Sequence, residues 1–360
     1  MIILAIETSC DETAVAIVSD RKVLSNVIYS QILIHKKWGG VVPSLAKRAH
    51  EEKIDLVIEE AIKKFHKFQS VPNEKYSFDL QFKKIDYIAV TQGPGLAVAL
   101  EVGIKKAKEL AQKYNKKLIA VNHLEGHIYS PFVQNSKGNP ERKFNFPYLA
   151  LIISGGHTEF VVFKNHLEYE MIGSTLDDAA GEALDKAAKL LGLGYPGGPV
   201  IERLAAEVNN IDYHKFPRPM LKSGDLNFSF SGLKTSFYYY LKTMKDEERN
   251  KKLKELVSSF QEAVFDTLLK KSEMAIKKTG INKMVIGGGV SANLYLRKKF
   301  RQLTSKYKGE VLFSYYKYLT GDNAAMIGAV ASYKAKNNIF VLDNNTLDRV
   351  PRLEIESRQG

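Results

Sequence analysis

The chain has 360 residues, 44% hydrophobic and 26% charged, with 53 Lys and Arg against 40 Asp and Glu and a net charge of +13. These proportions exclude a disordered or collagen-like chain, and a lone cysteine, Cys10, excludes an intrachain disulfide framework and any multi-cysteine zinc or iron–sulfur site. The length fits about two domains, and the basic surplus fits either a nucleic-acid partner or a well-solvated lysine-rich surface.

The chain opens with a strand over residues 2–7. A polar turn, Thr8 to Thr13, and a second strand over residues 14–18 complete a hairpin. The apolar start stops at Glu7 without a basic flank, which does not read as a signal peptide. No run nears the about 20 apolar residues of a membrane span, so a cytoplasmic protein without a membrane partner is expected. A helical pattern follows over residues 44–66, and the aperiodic residues 67–84 read as a surface loop. Strand 85–91, the loop Gln92-Gly93-Pro94-Gly95, helix 97–114 and strand 117–121 then alternate. Such alternation predicts parallel pairing and an α/β fold.

A second strand–turn–strand unit begins at residue 148, turns at Gly155-Gly156 and returns over residues 158–163. Two such units, each leading half of the chain, predict two related domains. Apolar spacing predicts a helix over residues 176–191, ended by Gly192. Residues 194–198 form a loop before a helix at 200–208, and a long helix spans 253–279. Strand 283–286 runs into Gly287-Gly288-Gly289 and a helix from about residue 292. A loop at 319–323 feeds a small-residue helix at 324–333. The remainder is polar, with Ile339, Phe340 and Val341 able to dock a last strand. The expected domains are residues 1–147, residues 148–333 and a polar tail, residues 334–360.

Three sets of residues stand out chemically. His123 and His127 lie four apart, which on a helix places both imidazoles on one face. They read as a metal pair or as two unrelated polar histidines. Glu125 falls two places after His123, so the general base of a His-Glu-x-x-His peptidase is missing from its position. A third ligand must be a carboxylate or histidine. Asp322, at the start of the small-residue helix, is the best candidate, although on local sequence alone a helix N-cap is the better reading. The glycine loops Ser154-Gly155-Gly156, Gly194 to Pro199 and Gly287-Gly288-Gly289 can aim backbone N–H groups at phosphate, or serve as ordinary turns. None is a Walker A or Gly-x-Gly-x-x-Gly motif. Asp178, Glu182 and Asp185 share a predicted helix face, bridged by Lys186 and Lys189 or open to ribose or metal. Ser229 to Lys234 is a hydroxyl-rich patch of no evident use.

In order along the chain, Ile6-Glu7-Thr8-Ser9-Cys10-Asp11-Glu12-Thr13, Gly39-Gly40-Val41-Val42-Pro43, His123-Leu124-Glu125-Gly126-His127, Ser154-Gly155-Gly156-His157-Thr158, Asp177-Asp178-Ala179-Ala180-Gly181-Glu182-Ala183, Tyr195-Pro196-Gly197-Gly198-Pro199, Gly288-Gly289-Val290-Ser291-Ala292-Asn293 and Asp322-Asn323-Ala324-Ala325-Met326 resemble the bacterial-type tRNA threonylcarbamoyladenosine transferase (TsaD) family. The resemblance covers residues 1–333. It implies an actin-like fold of the sugar-kinase and Hsp70 type, with two ribonuclease-H-like domains around a cleft. It implies an acyltransferase that moves the threonylcarbamoyl group of threonylcarbamoyl-AMP to N6 of adenosine 37, in tRNAs reading codons that begin with adenine. His123, His127 and Asp322 would bind one divalent ion, Fe2+ or Zn2+. Ile152, Ile153, Ser154, Gly155, Gly156, Asp185, Gly198 and Asn293 would bind the adenylate, with Asp185 on the ribose and Asn293 on the adenine side. Ser9, Glu12 and Asn122 are near-site carry-overs. The partner proteins TsaB and TsaE would be required for activity. Thr320-Gly321 replace the Cys-Thr usual before the metal carboxylate, and residues 67–84 are longer than usual. Because Asp322 follows far behind the histidines, the ion is expected to bridge the two domains. Catalysis would be metal-assisted, without a side-chain nucleophile. The competing readings are a metallopeptidase (glycoprotease) and a non-catalytic, nucleotide-dependent actin-like assembly protein.

Overall fold

A computed structural model describes residues 1–69 and 75–355. The chain divides into two compact units, one of Met1–Asn145, His166–Glu168 and the chain from Ser314 onward, the other of Phe146–Asn165 and Tyr169–Phe313. Among the described residues no helix is long and apolar enough to cross a membrane.

The first unit carries β1 (Ile2–Glu7), β2 (Glu12–Ser19), β3 (Lys22–Ser30), α1 (Ile32–Lys36), α2 (Pro43–Gln69), α3 (Phe78–Lys83), β4 (Tyr87–Gly93), α4 (Ala97–Tyr114), β5 (Lys117–Asn122) and α5 (His123–Tyr129). Its sheet has the order β3-β2-β1-β4-β5. The pairs β1–β2 and β2–β3 are antiparallel, and β1–β4 and β4–β5 are parallel. Residues 3–7 of β1 are all buried, as a central strand covered on both faces requires. Side chains alternate along it. Leu4 and Ile6 join Val15, Ile17 and the apolar faces of α2 and α4 in one core.

The second unit carries β6 (Tyr148–Ile153), β7 (Thr158–Asn165), β8 (Glu168–Ser174), α6 (Ala180–Leu190), α7 (Gly197–Ala206), α8 (Ser231–Lys242), α9 (Asp246–Lys251), α10 (Leu253–Thr279), β9 (Lys283–Gly287), α11 (Leu294–Lys306) and β10 (Glu310–Phe313). Its sheet order, β10-β9-β6-β7-β8, repeats that of the first unit. Again an antiparallel hairpin, β6–β7, is extended by parallel strands, β6–β9 and β9–β10. Leu149, Leu151, Ile153 and Phe160 pack with α6, α8 and α10 in its core.

Several expectations change. Each hairpin gains a third strand, β3 and β8. Residues 67–84 are not one loop. They hold the end of α2 and the short helix α3, capped by Ser77, while residues 70–74 fall outside the described residues. The helix expected from residue 176 starts at Ala180. The boundary expected at residue 333 also moves, because the chain returns to the first unit after β10. There α12 (Ala324–Lys336) is buried over most of its surface and packs on β1, β2 and α5. Small residues along α12 and on β1 and β2 (Ala5, Ala14, Ala16) permit that close approach. As far as residue 355 the polar tail is docked on the first unit. Val341 N donates to Leu118 O at 2.9 Å, Val350 N to Gln92 O at 2.9 Å, and Leu347 and Ile355 are buried.

Candidate metal centre and nucleotide loops

Three parallel strands of the first unit end side by side at Glu7, Gly93 and Asn122, and carboxyl ends of parallel strands are where α/β sheets place ligands. Asn122 closes β5 and caps α5. Its Oδ1 accepts from Leu124 N at 2.8 Å, while Glu125 Oε2 accepts from Asn122 N at 3.2 Å. This capping box starts α5 at His123. Gly126 has no Cβ where one would lie 2.9 Å from Met326 Cγ, so α5 and α12 approach closely and the loop before α12 meets the histidines.

Asp322 Oδ1 lies 3.4 Å from His123 Nε2 and 3.2 Å from His127 Nε2. The imidazoles stand edge to face, their centroids 4.6 Å apart. The three donor atoms lie within 4.8 Å of one another. Donors about 2.1 Å from one tetrahedral ion sit about 3.4 Å apart, so this spacing fits a metal. Asn323, not Asp322, caps α12, its Oδ1 accepting from Met326 N at 3.0 Å. The N-cap reading of Asp322 therefore fails, and its carboxylate is left for the histidines. The expected bridging of two domains fails as well, because all three residues belong to the first unit.

The charges around the triad suit a cation. His127 is buried, its Nδ1 makes no hydrogen bond, and its Nε2 faces Asp322 Oδ1 at 3.2 Å. Burial chiefly lowers its pKa and keeps the imidazole neutral, the form that ligates metal. Burial would raise the Asp322 carboxyl, but the pull of His123 and then His127 holds it well below the ordinary carboxylate range. Burial would lower His123, but Asp322 and Glu7 lift it well above an ordinary histidine. Glu7, fully buried, fixes its orientation. Its Oε2 accepts from His123 Nδ1 at 3.0 Å and from Thr91 Oγ1 at 2.6 Å, and its Oε1 accepts from Ser9 N at 2.5 Å. With an ion bound, a carboxylate on Nδ1 would keep the proton there and leave the Nε2 lone pair for the metal.

Of the near-site expectations, Ser9 Oγ lies 3.2 Å from His123 Nδ1. Glu12 Oε1 accepts from Ser30 Oγ at 3.3 Å, and burial, then Asp11 and Asp322, push its carboxyl well up. Asn122 is a cap. Sequence reasoning missed Glu7 as a partner of the site. Its signal was a charged residue ending an otherwise apolar strand. Glu125 is held by Lys334, at 2.7 Å, and by the capping box, so it is not a peptidase base.

In the second unit the loops at residues 154–156 and 287–289 meet at the ends of β6 and β9, where Ile152 pairs with Gly287, while the loop at 194–199 leads from α6 into α7. Gly288 has φ of 88°, and a Cβ there would lie 2.4 Å from Ile153 O, so only glycine fits. Ser154 Oγ accepts from Gly156 N at 3.3 Å and His157 N at 3.0 Å, while Gly181 N donates to Ser154 O at 3.2 Å. Added Cβ atoms at Gly155, Gly156, Gly198 or Gly289 would meet nothing within 4 Å. Asp185 Oδ1 accepts from Gly197 N at 2.7 Å and Gly198 N at 3.3 Å, fixing the start of α7. Asn293 caps α11 through Leu296 N at 2.9 Å, and its Nδ2 donates to Gln261 Oε1 at 3.2 Å. Ile152 to Gly156 thus lie at the end of β6, Asp185 and Gly198 at the α6–α7 connection, and Asn293 at the start of α11.

The acids ahead of α6 are satisfied within the unit. Asp177 accepts from Phe230 N at 2.8 Å and Ser231 N at 3.1 Å, and from the Ser229 and Ser231 hydroxyls at 2.6 Å. Burial opposes its ionisation, but these donors lower its pKa to about 2. Lys186 and Lys234 neutralise Asp178, and Lys186 also pairs with Glu182. The hydroxyl-rich patch is therefore the start of α8, capped by Asp177.

The twice-repeated sheet belongs to the actin-like, sugar-kinase-type class. The fold resembles full-length HypF in a phosphate- and nucleotide-bound form, with a TM-score of 0.57, 15% identity and 94% of this chain covered, the chain spanning 56% of that protein. It also resembles an activator of 2-hydroxyisocaproyl-CoA dehydratase from Clostridium difficile, with a TM-score of 0.51, 13% identity, and 94% and 97% of the two chains covered. Within that class, residues 22–329 match the family described as TsaD: tRNA N6-adenosine threonylcarbamoyltransferase. Relatives of that name are 46% identical in Thermosipho africanus (99% of this chain and 100% of the relative) and 48% identical in Endomicrobium trichonymphae (99% of each). The chain belongs to the tRNA N6-adenosine threonylcarbamoyltransferase family. It is a transferase that modifies tRNA.

Proposed function

We propose that the protein moves the threonylcarbamoyl group of threonylcarbamoyl-AMP to N6 of adenosine 37, in tRNAs reading codons that begin with adenine. It does so with one divalent ion, Fe2+ or Zn2+, at His123, His127 and Asp322. The observation that supports this most is the convergence of two imidazole Nε2 atoms and one carboxylate oxygen, with Glu7 setting the His123 tautomer. Two imidazoles and a carboxylate suit either metal and leave coordination positions open. A divalent ion held there supplies a Lewis acid for a carbonyl oxygen.

The chain's own residues do the rest. Glu7 keeps the proton on His123 Nδ1, and burial keeps His127 neutral. In the second unit, residues Ile152 to Gly156, Asp185, Gly198 and Asn293 hold the adenylate, whose phosphate takes N–H groups of the glycine loops. In the transfer, N6 attacks the carbamoyl carbon and a C–N bond forms. The C–O bond to phosphate breaks, AMP leaves with the electron pair, and N6 gives up a proton. Cys10 takes no part as a nucleophile, since burial, then Asp11, push its thiol well above the ordinary range. TsaB and TsaE are needed for full turnover, and the protein works in the cytoplasm.

The test is mass spectrometry of tRNA nucleosides from cells depleted of this protein. Loss of threonylcarbamoyladenosine is expected, and undiminished levels without a second gene copy contradict the proposal.

A further inference from the structure

Trp38 is the sole tryptophan of the chain and is 63% exposed, in contrast with the usual deep burial of tryptophan. It does not sit on a loose loop. Trp38 N donates to His35 O at 2.9 Å. His35 is buried, with Nε2 3.1 Å from Gln31 Oε1 and Nδ1 accepting from Val42 N at 3.3 Å. One imidazole thus ties together both sides of the loop and holds the indole outward. Leu33 is exposed beside it on α1. Lys36, Lys37 and Arg48 are exposed and, among the described residues, make no ion pair. The loop also joins the turn after β1 that faces His123. Gln31 N donates to Asp11 O at 2.9 Å, and two residues before Asp11 stands Ser9, whose Oγ is 3.2 Å from His123 Nδ1.

We propose that Trp38 is a stacking platform for an unstacked base of the tRNA anticodon loop, with Lys36, Lys37 and Arg48 on the neighbouring phosphates. The proposal rests on the tRNA-modifying reading given above. Chemistry at a base nitrogen requires the base to leave its stack. Proteins hold such bases on aromatic faces flanked by cations. Unpaired lysines that directly precede an exposed indole in the chain, with the exposed Arg48 on α2, suit a polyanion better than the apolar surface of a protein.

The test compares wild type, Trp38→Ala, Trp38→Phe and the double variant Lys36→Ala, Lys37→Ala as full-length chains in the reconstituted transfer mixture. Binding is read by anisotropy of labelled tRNA over a range of salt, together with KM for tRNA, metal content and melting temperature. Trp38→Ala is expected to weaken tRNA binding about 10-fold and to raise KM, with metal content and melting temperature unchanged. Trp38→Phe is expected to retain most of the affinity. The double lysine variant is expected to flatten the dependence of log affinity on log salt by about 1–2. Because no other tryptophan exists, tRNA added to the chain alone is expected to quench its fluorescence. Undiminished tRNA affinity in Trp38→Ala, or a loss of partner-protein binding alone, overturns the platform while wild-type transfer leaves the enzyme reading standing. A wild-type mixture that makes no threonylcarbamoyladenosine overturns the enzyme reading itself.

Discussion

Glu7 Oε2 lies 3.0 Å from Nδ1 of His123, so a carboxylate at the end of the central strand sets which nitrogen of that histidine is free for a metal. The same carboxylate accepts from Thr91 on β4 and from the Ser9 backbone. Strands β1 and β4 and the turn after β1 are thereby locked around one imidazole.

Glu7→Gln keeps the shape and removes the charge. Loss of such an outer partner typically lowers metal affinity about 10–100-fold. Chelator competition on the purified variant measures this, and wild-type affinity would place the tautomer under some other control.

Asp322 and Asn323 are neighbours with separate tasks. Asn323→Ala removes the cap of α12 and is expected to lower stability by about 1 kcal/mol, read from denaturant unfolding with metal bound. Asp322→Asn is expected to abolish metal binding and, because it removes the charge paired with His123, to lower the metal-free melting temperature. Equal metal content in Asp322→Asn and wild type would remove the carboxylate from the site.

The glycine loops separate fold from ligand. Gly288→Ala puts a methyl against Ile153 O at positive φ and is expected to destabilise the second unit by about 2 kcal/mol or more. Gly155→Ala meets no atom within 4 Å and is expected to leave the melting temperature unchanged. A fall in AMP affinity of Gly155→Ala, measured by calorimetry, then reports on the ligand directly. Unchanged affinity would move the nucleotide away from that loop.

His166 supplies a pH dependence. It stacks on Tyr333, with ring centroids 3.9 Å apart, and its Nδ1 lies 3.1 Å from Tyr129 Oη. Burial, then the charges of Arg21 and Lys336, lower its pKa to about 4. Between about pH 4 and the unfolded value near 6.5 the unfolded chain binds the extra proton, so stability rises with pH across that window. His166→Gln is expected to show a shallower loss of melting temperature from pH 7 to pH 5 than wild type. Parallel curves would mean that His166 titrates alike in both states.

The histidine pair was legible because four-residue spacing and a helical context both speak locally. Asp322 was not separable from a cap, since Asp and Asn both cap helices and only the fold assigns Asn323 to Met326 N. Glu7 escaped notice inside a run read for its apolar pattern. Strand β3 was missed because Ser25 and Asn26 interrupt the apolar alternation between Val23 and Val27. The return of the chain to the first unit after Phe313 leaves no local mark, because it follows from α12 packing on the small residues of β1 and β2. That single fact moved the third ligand into the same unit as the histidines.

The central claim is that His123, His127 and Asp322 hold the ion on which transfer to tRNA depends. The most direct measurement is reconstitution of wild type and His123→Ala with partner proteins, threonylcarbamoyl-AMP and tRNA, with bound metal and threonylcarbamoyladenosine quantified in the same samples. The account predicts that wild type makes the modified nucleoside. It predicts that His123→Ala loses both metal and transfer by at least about 10–100-fold, with AMP binding retained. A variant with full metal content and full transfer contradicts it.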